Sequence, residues 1–262
     1  GTDIDVSAVQ GRISTKILYS VLRSANAIIT PTPRLSNRVQ ELFGLIPYTI
    51  CNGIDVKNAI PLQNMVLQKK YAGKKIILSI SDLELISKGI DLNIKAMHQL
   101  KQKYRNIYYI IVGDGPTRHY LENLTKEFHL QDHVEFVGAK NHAEAMQYMS
   151  ICDIFSLPSW QETFGLVYLE AMTQGKPVIG CKGQGMDSLL TLDQCGLLTE
   201  PQNVGSLVGA LSYLIDNPAE AKAMGQRGYN VVRYKYTHKN SAEQMMIIYE
   251  RLLRGNGNMS SS

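Results

Sequence analysis

From Gly73 onward the chain alternates short apolar runs with stretches of helical periodicity, and this alternation leaves few folds open to it. Strands are expected at Lys75 to Ile80, Ile107 to Val112, Val134 to Val137, Asp153 to Leu157 and Pro177 to Cys181. Helices are expected between them at Gly89 to Tyr104, Pro116 to Phe128, His142 to Met149 and from about Phe164. Apolar strands alternating with helices predict a parallel sheet covered by helices on both faces. Such sheets bind ligands outside the carboxyl ends of their strands. The Gly-rich loops fall there: Lys88-Gly89, Gly113-Asp114-Gly115-Pro116, Val137-Gly138-Ala139-Lys140 and Gly183-Gln184-Gly185. The chain closes with Gly196 to Thr199 and helices near Val204 to Ile215, Ala219 to Val232 and Ser241 to Leu253.

Within this frame the stretch Pro158 to Met172 stands out. It reads as a strand end, a short loop holding Glu162, and a helix apolar on nearly every side except at Glu170. A helix apolar all round is a buried one, so Glu170 is expected to be buried and to need a partner. The first turn of that helix has N–H groups without intrahelical acceptors, and Gly165 lets a ligand come close to the backbone, which makes a phosphate seat. Side chains lean toward the helix start, so Glu170 projects over the first turn and suits ribose hydroxyls. Glu162 would repel phosphate and better accepts hydrogen bonds from neutral sugar hydroxyls. Lys88, at the carboxyl end of another strand, can reach a diphosphate as a point charge. Structural acids paired with nearby Lys or Arg remain the plainer alternative for both carboxylates.

The two glutamates stand in the frame Pro-Ser-x-x-Glu-x-Phe-Gly-x-x-x-Leu-Glu-Ala-Met, which resembles the signature of the family 4 retaining glycosyltransferases of GT-B fold. Matching segments follow in the same order: Asn52-Gly53-Ile54-Asp55, Lys88-Gly89-Ile90-Asp91, Gly113-Asp114-Gly115-Pro116, Val134-Glu135-Phe136-Val137-Gly138 and Gly175-Lys176-Pro177-Val178-Ile179. The resemblance implies a Rossmann-like, nucleotide-sugar-binding domain over residues 63–240, preceded by part of an acceptor-side α/β domain over residues 1–62. A terminal helix over 241–254 would return to that first domain, and 255–262 would be a disordered tail. It further implies transfer of a sugar, with retention of configuration, to a glycan, lipid-linked sugar or small-molecule acceptor in bacterial-type polysaccharide or glycoconjugate synthesis. Glu162 and Lys88 would be the catalytic groups. Glu170, Phe164, Gly165, Leu166, Gly113, Gly115, Gly138, Ala139 and Gly185 would hold the donor, with no cofactor and no metal needed for chemistry. Many members carry an Arg about six residues before the Lys; here Ser81-Asp82 stands in that region, which predicts either a loop that points Asp82 away from the ligand or weaker diphosphate binding than in relatives. A donor-binding fragment without catalysis and a GT-B-fold epimerase are the alternative readings.

The charge balance excludes other classes. The formal charge of +4 arises from Lys and Arg scattered among acids, so nucleic acid is not an expected partner. The four cysteines have no paired spacing and read as core thiols of a reducing cytosol. No signal peptide and no membrane-spanning run is visible, which points to a cytoplasmic protein, with the inner membrane surface as a peripheral station. His129 and His133 straddle a helix-to-strand junction and are not expected to share a metal, and Asp3-x-Asp5 lacks the strand a metal-binding pair would follow.

The first part of the chain is less regular. A helix is expected over Ile13 to Ser24, with Arg12, Lys16 and Arg23 off its apolar face as a solvated or membrane-facing side. A strand at Ala27 to Ile29, a helix from Pro33 to Leu42 and a strand at Tyr48 to Ile50 follow, and Gln63 to Gly73 reads as a polar linker. The opening Gly1-Thr2-Asp3 resembles the middle of the family's first domain. A chain with only part of that domain is expected to bind donor weakly, turn over little and self-associate through uncovered strand edges.

Overall fold

In the computed structural model the described residues are 12–56 and 64–257. Asp3-x-Asp5, the Gly1-Thr2-Asp3 opening and the end of the expected tail lie outside them. The chain divides into two compact units, Gly1–Ile54 with Lys235–Ser262, and Asp55–Tyr234.

The first unit begins with α1 (Arg12–Ser24), β1 (Ile29–Thr30), α2 (Pro33–Phe43) and β2 (Tyr48–Thr49). Thr32 caps α2 by accepting from the Leu35 N–H, Pro33 opens it where no N–H is needed, and Gly44 closes it in the left-handed conformation. The two strands pair in parallel, Ile29 with Tyr48 and Thr30 with Thr49.

The second unit contains α3 (Met65–Lys70), β3 (Lys75–Ile80), a single 3-10 turn (Ile86–Lys88), α4 (Ile90–Leu100), β4 (Ile107–Val112), α5 (Arg118–Glu127), β5 (Val134–Gly138) and α6 (His142–Ile151). It continues with β6 (Ile154–Ser156), α7 (Leu166–Thr173), β7 (Val178–Cys181), α8 (Asp187–Leu192), β8 (Gly196–Thr199), α9 (Val204–Asp216) and α10 (Pro218–Lys235). The last helix, α11 (His238–Gly257), belongs to the first unit, where Ile54 bridges to Thr237.

The six strands of the second unit are all parallel in the order β5-β4-β3-β6-β7-β8. Counted along this unit, the order is that of a doubly wound dinucleotide-type sheet, and it reverses between β3 and β6. The loops leaving those two strands meet at this switch point, outside which such sheets form their ligand-binding crevice. Ile77, Leu78, Ile110, Ile111, Phe155 and Ile179 form the buried centre of the sheet. The alternation in the sequence is realised strand by strand.

Two expectations fail locally. The polar stretch read as a linker contains α3, because the Asn64 side chain accepts from the Val66 and Leu67 N–H groups and Tyr71 anchors the helix end in the core. The expected tail is helical through Gly257, as α11 continues past Leu253. Helix α8 was not anticipated; its six residues are too short to show periodicity.

Candidate functional site

The loops after β3 and β6 cross at the switch point and are fitted to each other by one glycine. Gly89 adopts φ +76°, and a Cβ there would lie 2.7 Å from the Pro158 carbonyl oxygen. Alongside it the Trp160 N–H donates to the Ser87 carbonyl at 3.0 Å. This crossing brings Lys88 to Glu162: Nζ lies 3.2 Å from Oε2, with the side chains 21% and 14% exposed. Two residues remote in sequence thus form a partly buried ion pair at the mouth of the crevice.

Glu162 is held from the far side by the loop after β7. Its N–H donates to the Gln184 side chain at 3.1 Å, and its carbonyl accepts from the Gly185 N–H at 3.0 Å. Gly185 has to be glycine, since a Cβ would lie 2.4 Å from the Thr163 carbonyl oxygen and 2.6 Å from the Phe164 backbone. Gly165, at φ +85°, turns the chain into α7, and a Cβ there would strike the buried Tyr168 ring at 2.5 Å. The Tyr168 hydroxyl in turn donates to the Leu157 carbonyl at the end of the β6 segment. The stretch between β6 and α7 is thereby tied at both ends, through Leu157 to α7 and through Glu162 to the loop after β7.

Helix α7 differs from its expected form. It starts at Leu166 rather than Phe164, with Gly165 as its cap, and the Phe164 side chain is buried, so only the Phe164 backbone faces the helix start. Nor is the helix enclosed on all sides. Leu166 and Glu170, one turn apart, share an open face on which Leu166 is 45% exposed and the Glu170 side chain 25%. Glu170 does have a partner, His142, whose Nε2 lies 3.1 Å from Oε1. His142 carries no local signal of this role, because it stands at the start of α6, an element remote from α7 in the chain.

Gly113 and Gly115 carry the loop after β4 against the loop after β3: a Cβ on Gly113 would lie 1.8 Å from the Ser81 carbonyl oxygen, and one on Gly115 2.7 Å from the Leu83 backbone. Gly138 ends β5 at φ +76° beside the Arg118 guanidinium, which bridges Asp114 and Glu122 at 2.8 Å each. Ala139 follows on the same loop. Asp82 is exposed, its carbonyl and carboxylate both accepting from the Ser81 hydroxyl. Among the described residues, the buried side-chain oxygens without a hydrogen-bond partner are Ser87 Oγ, Asp91 Oδ1 and Ser159 Oγ. All three belong to the two crossing loops or the first turn of α4, so polar capacity is concentrated at the crevice.

Among the described residues no group of three or more His, Cys, Asp or Glu side chains is placed to hold a metal, and no helix is long and apolar enough to cross a membrane. His133 Nδ1 is engaged by the Ile107 carbonyl, and His129 sits in a left-handed turn, so the two do not form a pair. The thiols of Cys152, Cys181 and Cys195 are buried, and burial pushes those of Cys152 and Cys181 up, to about 12 and about 11.

A parallel sheet whose order reverses at a switch point, with a Lys–Glu pair and a helix start set there, defines a doubly wound α/β protein of the class that binds ligands at that point. Residues 64–231 match the family described as "Glycosyl transferases group 1", and the chain belongs to that family. It is 28% identical over 188 residues to alpha-D-kanosaminyltransferase of Streptomyces kanamyceticus, covering 71% of this chain and 48% of that one. Among solved structures it superimposes on sucrose-phosphate synthase from Thermosynechococcus elongatus with TM-score 0.83 and 26% identity, covering 97% of this chain and 66% of that one. HepE from Anabaena, solved in complex with UDP and glucose, superimposes with TM-score 0.81 at 21% identity over 91% of this chain and 67% of its own. The fold is the Rossmann-like α/β arrangement of GT-B proteins. The chain spans about half the length of curated relatives such as the kanosaminyltransferase.

Proposed function

We propose that the Asp55–Tyr234 unit is the donor-binding half of a retaining glycosyltransferase of the family 4 type. The other unit is its acceptor side, facing a glycan or lipid-linked sugar in polysaccharide or glycoconjugate synthesis. The observation that carries this reading is the Lys88–Glu162 pair at the switch point, beside the Gly165-capped start of α7. A nucleoside diphosphate seated at that helix start places negative charge where first-turn N–H groups and the Lys88 ammonium can take it up. As the bond between sugar and diphosphate breaks, charge builds on the departing oxygens, and these fixed donors stabilise it without rearranging. Glu162, held by Gln184 and Gly185, presents its carboxylate to sugar hydroxyls, while Glu170 takes the ribose. Gly138 and Ala139 flank the base, and Gly113 and Gly115 keep the neighbouring loop clear of the ligand. No metal has a part in this scheme.

Calorimetric titration of the full chain with UDP-, GDP- and ADP-sugars tests the donor reading, and NMR of the product formed with a glycan acceptor tests retention. Saturable binding of one sugar nucleotide, lost in Lys88→Ala, is the expected result. Absence of binding across the panel would refute it, and an epimerised sugar in place of a glycosylated acceptor would move the activity to the epimerase class.

A further inference from the structure

Directly beneath the crevice lies a polar cluster that the donor-site reading does not use. Ser79 on β3, Tyr109 on β4, Ser156 on β6 and Asn93 on α4 are all fully buried. The Ser79 hydroxyl donates to the Ser156 carbonyl, and since it has a single proton, the Tyr109 hydroxyl 2.7 Å away must donate to it. Burial raises the Tyr109 hydroxyl above its ordinary range and keeps it a donor. Asn93 Nδ2 donates to Ser79 Oγ at 3.3 Å and to the Ser156 carbonyl at 3.2 Å, and the Ser156 hydroxyl returns a bond to Asn93 Oδ1 at 2.7 Å. No hydroxyl proton in the cluster is left over.

Stability does not explain this arrangement, because well-packed apolar side chains of similar volume serve a sheet centre as well or better. What a closed polar network adds is direction: it fixes one mutual placement of the elements it joins. Here those elements are the ones that deliver the site. Strand β6 pairs with β3 at only two positions, Ile77 with Ile154 and Leu78 with Phe155, whereas β3 pairs with β4 at six. Ser79 and Ser156 are the next residues after that short ladder, where β3 and β6 begin to release their loops. Asn93 sits one turn into α4, its N–H bonded to the Gly89 carbonyl, and Lys88 immediately precedes that glycine. Ser156 opens the path through Pro158 to Glu162.

We propose that Asn93, Ser79, Ser156 and Tyr109 are positioning residues that set the approach of Lys88 to Glu162, an inference whose bearing on donor binding rests on the function proposed above. Asn93→Ala breaks the network at its centre. Tyr109→Phe removes one hydroxyl while keeping the ring, so the test survives if the first variant does not fold. Thr125→Val is the control: its buried hydroxyl bonds only within α5, to Leu121.

The first readout needs no ligand. Acylation of Lys88 by a lysine-selective reagent, followed by mass spectrometry and normalised to exposed Lys126, reports whether the ammonium is still held by Glu162. It should rise by about threefold or more in both network variants, as for a lost hydrogen-bonded ion pair, and stay unchanged in the control. The second readout is the affinity for UDP, GDP and ADP. For whichever binds, each network variant should lose about tenfold, and the loss should largely vanish in a Lys88→Ala background, because coupled residues do not add. Equal Lys88 acylation in network variants, control and parent overturns the inference, as do additive affinity losses. Raised acylation with no diphosphate binding by the parent chain upholds the positioning role and removes the donor-site reading instead.

Discussion

The imidazole Nε2 of His142, the first residue of α6, lies 3.1 Å from Oε1 of Glu170 on α7. The contact ties the Glu170 carboxylate to the start of α6, while the Glu170 side chain stays a quarter exposed on the face it shares with Leu166. A ribose bound between the starts of α7 and α6 would therefore meet a carboxylate already oriented by His142.

Glu170→Ala should weaken a nucleoside diphosphate and its sugar nucleotide by the same amount, about 1.5–3 kcal/mol, as expected for hydrogen bonds to a charged group. Calorimetry with both ligands checks this. A loss confined to the sugar nucleotide would place Glu170 at the sugar and not at the ribose.

The sequence showed the sheet and its switch point, because buried parallel strands require unbroken apolar runs and the Gly-rich loops mark where those runs end. It also singled out Glu162 and Lys88, which the structure pairs at 3.2 Å, and Glu170, which pairs instead with His142. What it could not show are the contacts that cross between elements. His142 on Glu170, Gln184 on the Glu162 N–H and Asn93 between Ser79 and Ser156 are polar residues in stretches whose local pattern marks them as solvent-facing or neutral. Their roles follow from where two loops cross, and no periodicity encodes a crossing. Glu170 is less buried than its apolar helix predicts for a related reason: periodicity does not tell an enclosed helix from one that, like α7, leaves one face open at Leu166 and Glu170.

Glu162 should behave differently from Glu170. It neutralises Lys88 at 3.2 Å, so Glu162→Ala releases that ammonium. Free nucleoside diphosphate should then bind as well as before or slightly tighter, while the sugar nucleotide loses the contacts to its hydroxyls. Titration of the two ligands against parent and variant separates these effects, and equal losses for both would exclude Glu162 as a sugar-orienting group.

Asp82 is exposed at the carboxyl end of β3, on the loop against which Gly113 and Gly115 are fitted. A carboxylate on this rim opposes a diphosphate. Asp82→Arg reverses the charge and should tighten diphosphate binding by about fivefold to tenfold at low salt, with the gain shrinking toward 0.5 M salt as screening grows. A flat salt series with unchanged affinity would mean that residue 82 faces away from the ligand.

A last prediction concerns stability away from the crevice. Glu135 on edge strand β5 accepts from Lys70 Nζ at 2.5 Å, from the Tyr108 hydroxyl at 3.0 Å and from the Tyr71 hydroxyl at 3.1 Å. Burial alone would raise this carboxyl, but the bonds from Lys70 and Tyr108 outweigh it and hold it below the ordinary glutamate range. Both tyrosines, pushed up to about 12, stay protonated donors throughout the physiological range. A carboxylate whose pKa is lower folded than unfolded contributes stability above the unfolded value and loses it as pH falls through the folded one. Glu135→Gln should accordingly lower stability at pH 7 by about 1 kcal/mol, a figure kept small because Lys70 is half exposed and the pair is screened by solvent. The gap between parent and variant in Tm should hold steady down to about pH 5 and close below about pH 4, as the parent's carboxyl takes up its proton. Thermal denaturation followed by circular dichroism from pH 3 to 8 measures it, and a gap that stays constant through the acid range would show that the Glu135 charge does nothing for the fold.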